Sequence, residues 1–332
     1  MDIRLMMRVR RALLRAVWIV LLLAPGLAAP AAPVPQKVIV GTYINKLQDV
    51  SFKDSKFTFD FYIWFRWKAV GALADFKPLE SMDLINGRID GKTAVVEKKI
   101  GDMNYASARL TTTIFKPWAL ENFPFDKHRI EVYVEDSSLI VDQLVFEPDL
   151  TNSRLGDELA LPGWTLSNFV TEVVDKTYKT NYGDTSLPTD AQSIFSRLSL
   201  SMNMTRQGFG PAVKLLSTVI FATLVAFVAF GIRPADVDPR FGLGVGALFA
   251  TAASAFVVAS TVPDSDLLTI ADQVHIIAMG FIFASVVQSA FCLKWDEAGE
   301  EAKWRKVDAW SRVIFPLLFL LSTGWLILRA FR

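Results

Sequence analysis

The chain has 332 residues, of which 52% are hydrophobic, 12% aromatic and 21% charged. That is too apolar for a purely water-soluble protein and too charged for one wholly embedded in lipid, so a soluble domain joined to a membrane domain is expected. A net charge of +1 offers no field for nucleic acid, the single Cys292 excludes an intrachain disulfide or multi-cysteine zinc site, and two histidines, His128 and His275, disfavour a histidine-built metal centre. No cofactor is expected, and most enzyme classes lose their usual side chains.

Residues 1–31 read as a secretory signal peptide. Arg4, Arg8, Arg10, Arg11 and Arg15 precede an apolar run over 16–23, which Pro25 and Gly26 break. Ala29-Pro30-Ala31 then offers a small-x-small cleavage site. The alternative, a further membrane helix, needs about 20 apolar residues, more than this run supplies.

From 36 to 208 the hydrophobic pattern has period two. Over 57–67, Phe57, Phe59, Phe61, Ile63, Phe65 and Trp67 share one face, and Asp60, Tyr62, Trp64 and Arg66 the other. Further strands are predicted over 38–44, 106–115, 128–135, 139–146, 164–174 and 193–204. Turn-prone clusters separate them at 48–55, 86–92, 148–157 and 181–190. Short strands punctuated in this way predict an all-β, immunoglobulin-like sandwich.

Residues 209–332 predict an all-α bundle of four transmembrane helices, over 211–232, 241–262, 268–293 and 313–331. Arg233 and Arg240 lie between the first and second; Lys294, Lys303, Arg305, Lys306 and Arg312 lie between the third and fourth. The connection between the second and third carries only Asp264 and Asp266. The positive-inside rule puts the basic connections in the cytoplasm and the sandwich on the far side, in agreement with a signal peptide.

The second span carries Gly242, Gly246, Phe249, Ala253, Phe256 and Ser260 at spacings of four, three, four, three and four, a single helical stripe. Its many small residues allow two readings. They let helices pack closely in lipid, or they line a pore assembled from several subunits.

With these elements in this order, the chain from about Val38 to Phe331 resembles the pentameric ligand-gated ion channels in their bacterial form. The most specific element is Asn122-Phe-Pro-Phe-Asp-Lys-His128, similar to the family's Phe-Pro-Phe-Asp turn, with His128 where a glutamine is common. Lys116 and Ile130 stand where the animal receptors have their disulfide, as in bacterial members. Trp67 matches a tryptophan ending an early strand, and Arg206 an arginine just before the first membrane helix. Pro263 matches the proline after the pore helix, and Arg240, 23 residues earlier, the basic residue at that helix's inner end. Arg312-Val-Ile-Phe-Pro316 resembles the start of the fourth helix, after a connection over 294–312 that is short, as in bacterial members.

The resemblance implies a homopentamer in the lipid of the bacterial plasma membrane, with the N-terminal domain in the periplasm. It implies passage of inorganic ions, opened by a small-molecule agonist, either an amine or protons. Asp238, Gly242, Gly246, Phe249, Ala253, Phe256 and Ser260 would line the pore, with rings of Phe249 and Phe256 as an apolar gate. Asp238 inside, with Asp264 and Asp266 outside, implies cation selectivity; against this, residues 240–244 resemble the helix start of anion-selective members.

Gating would couple through Asp126 and Arg206, with Asp49 as a third member, and through Pro124 and Phe125 pressing on the 263–267 connection beside Pro263. The ligand site, between subunits, would take Tyr62 and Trp64, the carboxylates Glu135 and Asp136, and Tyr178 and Tyr182. Aromatic rings with carboxylates suit an ammonium ion. His275 is read as a packed histidine or as a proton sensor. Two other classes stand beside this one: a non-conducting sensor of the same fold, and a membrane-anchored enzyme. No Gly-x-Ser-x-Gly, His-Glu-x-x-His or P-loop supports the enzyme.

Overall fold

A computed structural model describes residues 34–183, 185, 188, 190–263 and 267–331. The predicted signal peptide, Asp264 and Asp266 lie outside the described residues.

The sandwich is organised by the period-two strand. In β2 (Lys56–Trp67) all six residues of the predicted apolar face are buried, each side chain contributing about 1.5–3 kcal/mol of burial. β1 (Gln36–Ser51) pairs with it antiparallel. The first sheet runs β4 (Gly87–Ile100), β5 (Met103–Phe115), β2, β1, β7 (Leu144–Pro148), with β8 (Arg154–Leu155) also on β1. The second runs β3 (Met82–Leu84), β6 (Lys127–Asp136), β10 (Ser193–Arg206), β9 (Trp164–Tyr178). Val38, Val40 and Ile44 of one sheet and Ile130, Val132, Val134, Leu198 and Leu200 of the other close the core between them.

Two stretches depart from the pattern reading. Residues 86–92, expected to be a turn, open the edge strand β4, which is exposed along most of its length and shows no one-sided apolar alternation. Pairing with β5 overrides its turn-prone composition: a Cβ on Gly87 would lie 2.6 Å from the Thr113 carbonyl oxygen. The strand expected over 139–146 begins only at Leu144. Before it, Asp136 Oδ1 accepts from the amides of Ser138 (3.0 Å) and Leu139 (2.8 Å), folding the chain into a turn.

The membrane half holds α1 (Gly210–Phe227, continued by a 3-10 turn over Val228–Gly231), α2 (Val237–Thr261), α3 (Ile270–Glu297) and α4 (Glu301–Arg329). All four are long and apolar enough to cross a membrane. The second starts at Val237 rather than 241. The fourth starts at Glu301 rather than 313, and α3 runs on to Glu297, so the 294–312 connection is nearly all helix. Hydropathy marks the lipid-immersed part of a helix, not its ends. Residues 301–312 are polar, yet Asp308 and Ser311 face inward and Glu301 pairs with Arg305 one turn on.

Close packing accounts for the small residues on one face of α2 only, and the opposite face is uncovered. Arg240, Gly244, Ala247, Thr251, Ser254 and Val258 are buried against the bundle, and a Cβ on Gly244 would meet Val286 of α3 at 2.5 Å. Gly242 and Gly246 have open space where a Cβ would project.

On the outer face of the first sheet, the Trp64 indole lies over Gly41, its cross-strand partner, where any Cβ would collide with the ring. Gly41→Ala should therefore lower stability by about 1–3 kcal/mol through overpacking. Gly91→Ala, with no heavy atom nearer than 3.9 Å, should be neutral or slightly stabilising. Thermal unfolding of the two purified variants in detergent makes the comparison, and equal melting points would remove the packing role given to Gly41.

Candidate functional site

At the membrane end of the sandwich, residues 116–127 join β5 to β6 and reach the helices. The Ile270 and Ala271 amides, in the first turn of α3, donate to the carbonyls of Glu121 (3.1 Å) and Phe123 (3.2 Å). A capping box of Thr269 and Asp272 satisfies the neighbouring donors. Phe125 packs on Phe331 at the end of α4 (5.2 Å between centroids), and Phe331 in turn on Phe209 before α1. Of the 263–267 connection expected to meet Phe125, residues 264–266 lie outside the described residues. The loop itself engages the first turn of α3.

Asp126 is buried within this loop and carries two partners. Arg206 Nε donates to Oδ1 at 2.7 Å, and His128 Nε2 meets Oδ2 at 2.5 Å. Burial by itself would raise the Asp126 carboxyl, but the hydrogen bonds from His128 and Arg206 and the Arg206 charge outweigh it and hold the group below the usual carboxylate range. The guanidinium of Arg206 sits in a cage of Trp164 (4.3 Å), Phe123 (5.2 Å) and Phe52 (5.3 Å). The His128 ring lies among Trp118, Phe52 and Trp164. Asp49, expected as the third member, is exposed and meets only its neighbour Gln48, at 3.3 Å. His128 takes that place, and its substitution for the family's glutamine was the sequence signal for it.

The six residues expected at the ligand site divide between the two sheets. Tyr62 lines a hollow of about 350 Å³ with Tyr43, Asn45, Lys46, Arg109, Asp157 and Glu158. Trp64 is tied down instead, its Nε1 donating to Asp149 (3.1 Å) beside Arg66. On the second sheet Glu135 accepts from Arg197 Nε at 2.5 Å and from the Tyr178 hydroxyl at 3.1 Å. Arg197 also stacks on Tyr133, and Tyr182 lies 6.2 Å from Tyr178. Asp136 is saturated by Ser81 (2.5 Å), Ser138 and Leu139. Neither carboxylate is free to meet an amine, a correction to the sequence expectation. Arg197 was the residue missed, although an arginine inside a strand between Phe195 and Leu198 was itself a signal of a buried partner.

The stripe on α2 is exposed from Asp238 through Ser260, with Phe249 74% and Phe256 75% exposed. Arg240 is not on it. Its side chain is buried and paired with Asp308 of α4. His275, on α3, donates from Nδ1 to the Ala271 carbonyl (2.7 Å) and meets Ser254 Oγ of α2 (3.0 Å), a packed position.

A β-sandwich whose loop caps a membrane helix, above four spans of which one bears an uncovered aromatic stripe, is the build of a multi-pass membrane protein with a folded domain outside the bilayer. In the order of its elements the chain resembles the bacterial pentameric ligand-gated ion channels. It is similar to the proton-gated ion channel of Gloeobacter violaceus, 20% identical over 281 residues that cover 84% of this chain and 75% of that protein. No family model matches the chain.

Because the folded-state Asp126 carboxyl is held low, its stabilisation is present above the ordinary carboxylate range and is lost as pH falls through that lower value. Asp126→Asn should cost roughly 3–5 kcal/mol near neutrality by stranding Arg206. The penalty should shrink in acid, so that unfolding curves of variant and wild type converge below about pH 4. Parallel curves across that range would show that Asp126 carries no such linkage.

Proposed function

We propose that this chain is the subunit of a homopentameric, cation-selective ligand-gated channel, set in the bacterial plasma membrane with its sandwich in the periplasm. The observation that carries this reading is the pair of opposed stripes on α2. A lipid-facing stripe could hold Phe249 and Phe256, but the same line bears Asp238, and a carboxylate facing lipid is costly. A water-lined axis shared between copies suits both. Rings of Phe249 and Phe256 then form an apolar constriction that stops ions by dewetting, without a plug.

Asp238 is the charge that ions would meet at the inner mouth, with the exposed Asp236 and Arg233 close by in sequence. Residues 240–244 resemble anion-selective members, but the charge that would favour anions is turned away and paired. Cations are therefore favoured.

For the agonist, protons are supported over an amine. The carboxylates that would have met an ammonium ion are already engaged, and the similar Gloeobacter channel is proton-gated. Imidazole is the side chain whose charge changes nearest neutral pH. A proton gained by His128 would place a second cation on the carboxylate that holds Arg206, altering the link between the loop that caps α3 and the strand that enters α1. Lys116 Nζ lies 5.7 Å from the centroid of the Trp118 ring that the imidazole also meets.

Voltage-clamp recording of cells expressing Phe249→Ser, with no agonist, is the direct test. Hydroxyls in place of phenyl rings should wet the constriction and give a standing current absent from wild type, with a reversal potential that follows sodium. Silent protein at the cell surface would favour a non-conducting sensor of the same fold. Wild-type channels should open on an acid step, and His128→Gln, which keeps a donor for Asp126 but cannot take the proton, should lose that response. An unaltered acid response in His128→Gln would return the sensor role to another group.

A further inference from the structure

Where the sequence places a basic residue at the pore's inner mouth, the structure shows a buried junction of all four membrane helices. Arg240 of α2 is 1% exposed, so its guanidinium finds its partners inside the bundle, through the two Nη atoms. Its Nη1 donates to Asp308 Oδ2 at 2.9 Å and to the Ile232 carbonyl, just past α1, at 2.6 Å. Its Nη2 donates to Asp308 Oδ1 at 2.7 Å. From α3, Gln288 Nε2 donates to the same Oδ1 at 2.8 Å, and the Cys292 thiol lies 3.6 Å from it. One α4 carboxylate thus holds the guanidinium bidentately on the rear face of the pore helix, two residues from Asp238.

We propose that Asp308 is a selectivity-determining positioning residue. By pairing with Arg240 it removes a positive charge from the field at the inner mouth and leaves Asp238 as the charge that permeating ions meet. The proposal rests on the channel reading above. A guanidinium stays charged at any working pH even when buried, so its influence depends on its partner rather than on protonation. The rear face of α2 stands about one helix diameter, roughly 10 Å, from the lumen wall. That is comparable with the screening length of physiological salt, and the protein between is less polarisable than water. An uncompensated Arg240 in every subunit would therefore offset the Asp238 ring.

The test uses full-length chains in the Phe249→Ser background, so that no agonist is needed, and reads the sodium-to-chloride permeability ratio from reversal potentials in a sodium chloride gradient. Asp308→Asn should move the reversal potential toward that of chloride, with the ratio falling roughly threefold or more. Arg240→Gln/Asp308→Asn, which removes both charges, should return to the parent ratio, and Asp308→Glu should stay near it. An unchanged ratio in conducting Asp308→Asn channels overturns the proposal and leaves the pair a purely structural tie.

Should Asp308→Asn alone not reach the surface, co-expression with the parent chain gives mixed channels. Their shift should grow with the share of variant, and mixed channels of confirmed composition with the parent ratio would equally overturn the proposal. A parent that follows chloride refutes the cation reading separately, while the shift on Asp308→Asn remains toward chloride. A silent parent refutes the channel reading, and this proposal with it.

Discussion

A carboxylate taken out of water must be met by donors or it will not stay charged, and at Asp126 the meeting of that demand ties the sandwich's membrane end together. Its two oxygens are divided between Arg206, at the end of β10, and His128, at the start of β6. The aromatic side chains of Phe52, Phe123 and Trp164 close around the arginine. The hairpin between β1 and β2, the loop over 116–127, the start of β9 and the strand leading into α1 thereby converge on one ion pair. The loop has no disulfide to hold it. Trp118 Nε1 on the Ser51 carbonyl (3.1 Å), the Asp126 pair, and the carbonyls of Glu121 and Phe123 on α3 hold it instead.

The same economy governs α2. Gly242, Gly244 and Gly246 each weaken α2 by propensity, and the buried rear face offsets that loss. Gly244 allows close approach to Val286, His275 bonds across to Ser254, and Arg240 ties the inner end to α4. The front face is thereby released from packing duties and can carry glycine, phenylalanine and aspartate in one line. Arg312 Nη2 on the Phe230 carbonyl (2.9 Å) adds a second tie between α4 and the end of α1.

Much of this was legible wherever a side chain's role follows from its own segment. The alternation of β2, the four apolar spans and the exposed stripe of α2 depend on local periodicity, and each is found where the pattern puts it. What escaped depends on partners distant in sequence. β4 is a strand because β5 pairs with it, whatever its glycines suggest. Trp64 is fixed by Asp149, Glu135 by Arg197 and Arg240 by Asp308, and no periodicity joins such pairs. The polar first turns of α4 escaped for a different reason: hydropathy detects lipid contact, and these turns are amphipathic. The exchange of Asp49 for His128 in the junction likewise depends on which side chains strands β6 and β10 bring to Asp126.

The two amides of α3 that end on Glu121 and Phe123 also bear on how the chain is made. A helix terminus in or near a membrane needs every donor satisfied, and here two acceptors come from a loop that precedes α3 by well over a hundred residues of chain. Insertion alone cannot complete this terminus. These two bonds exist only when the β-rich portion has folded and presents its loop to α3. Quality control during biogenesis could then read a single structural event, because an unfolded upstream region leaves a membrane segment with bare amides at its end.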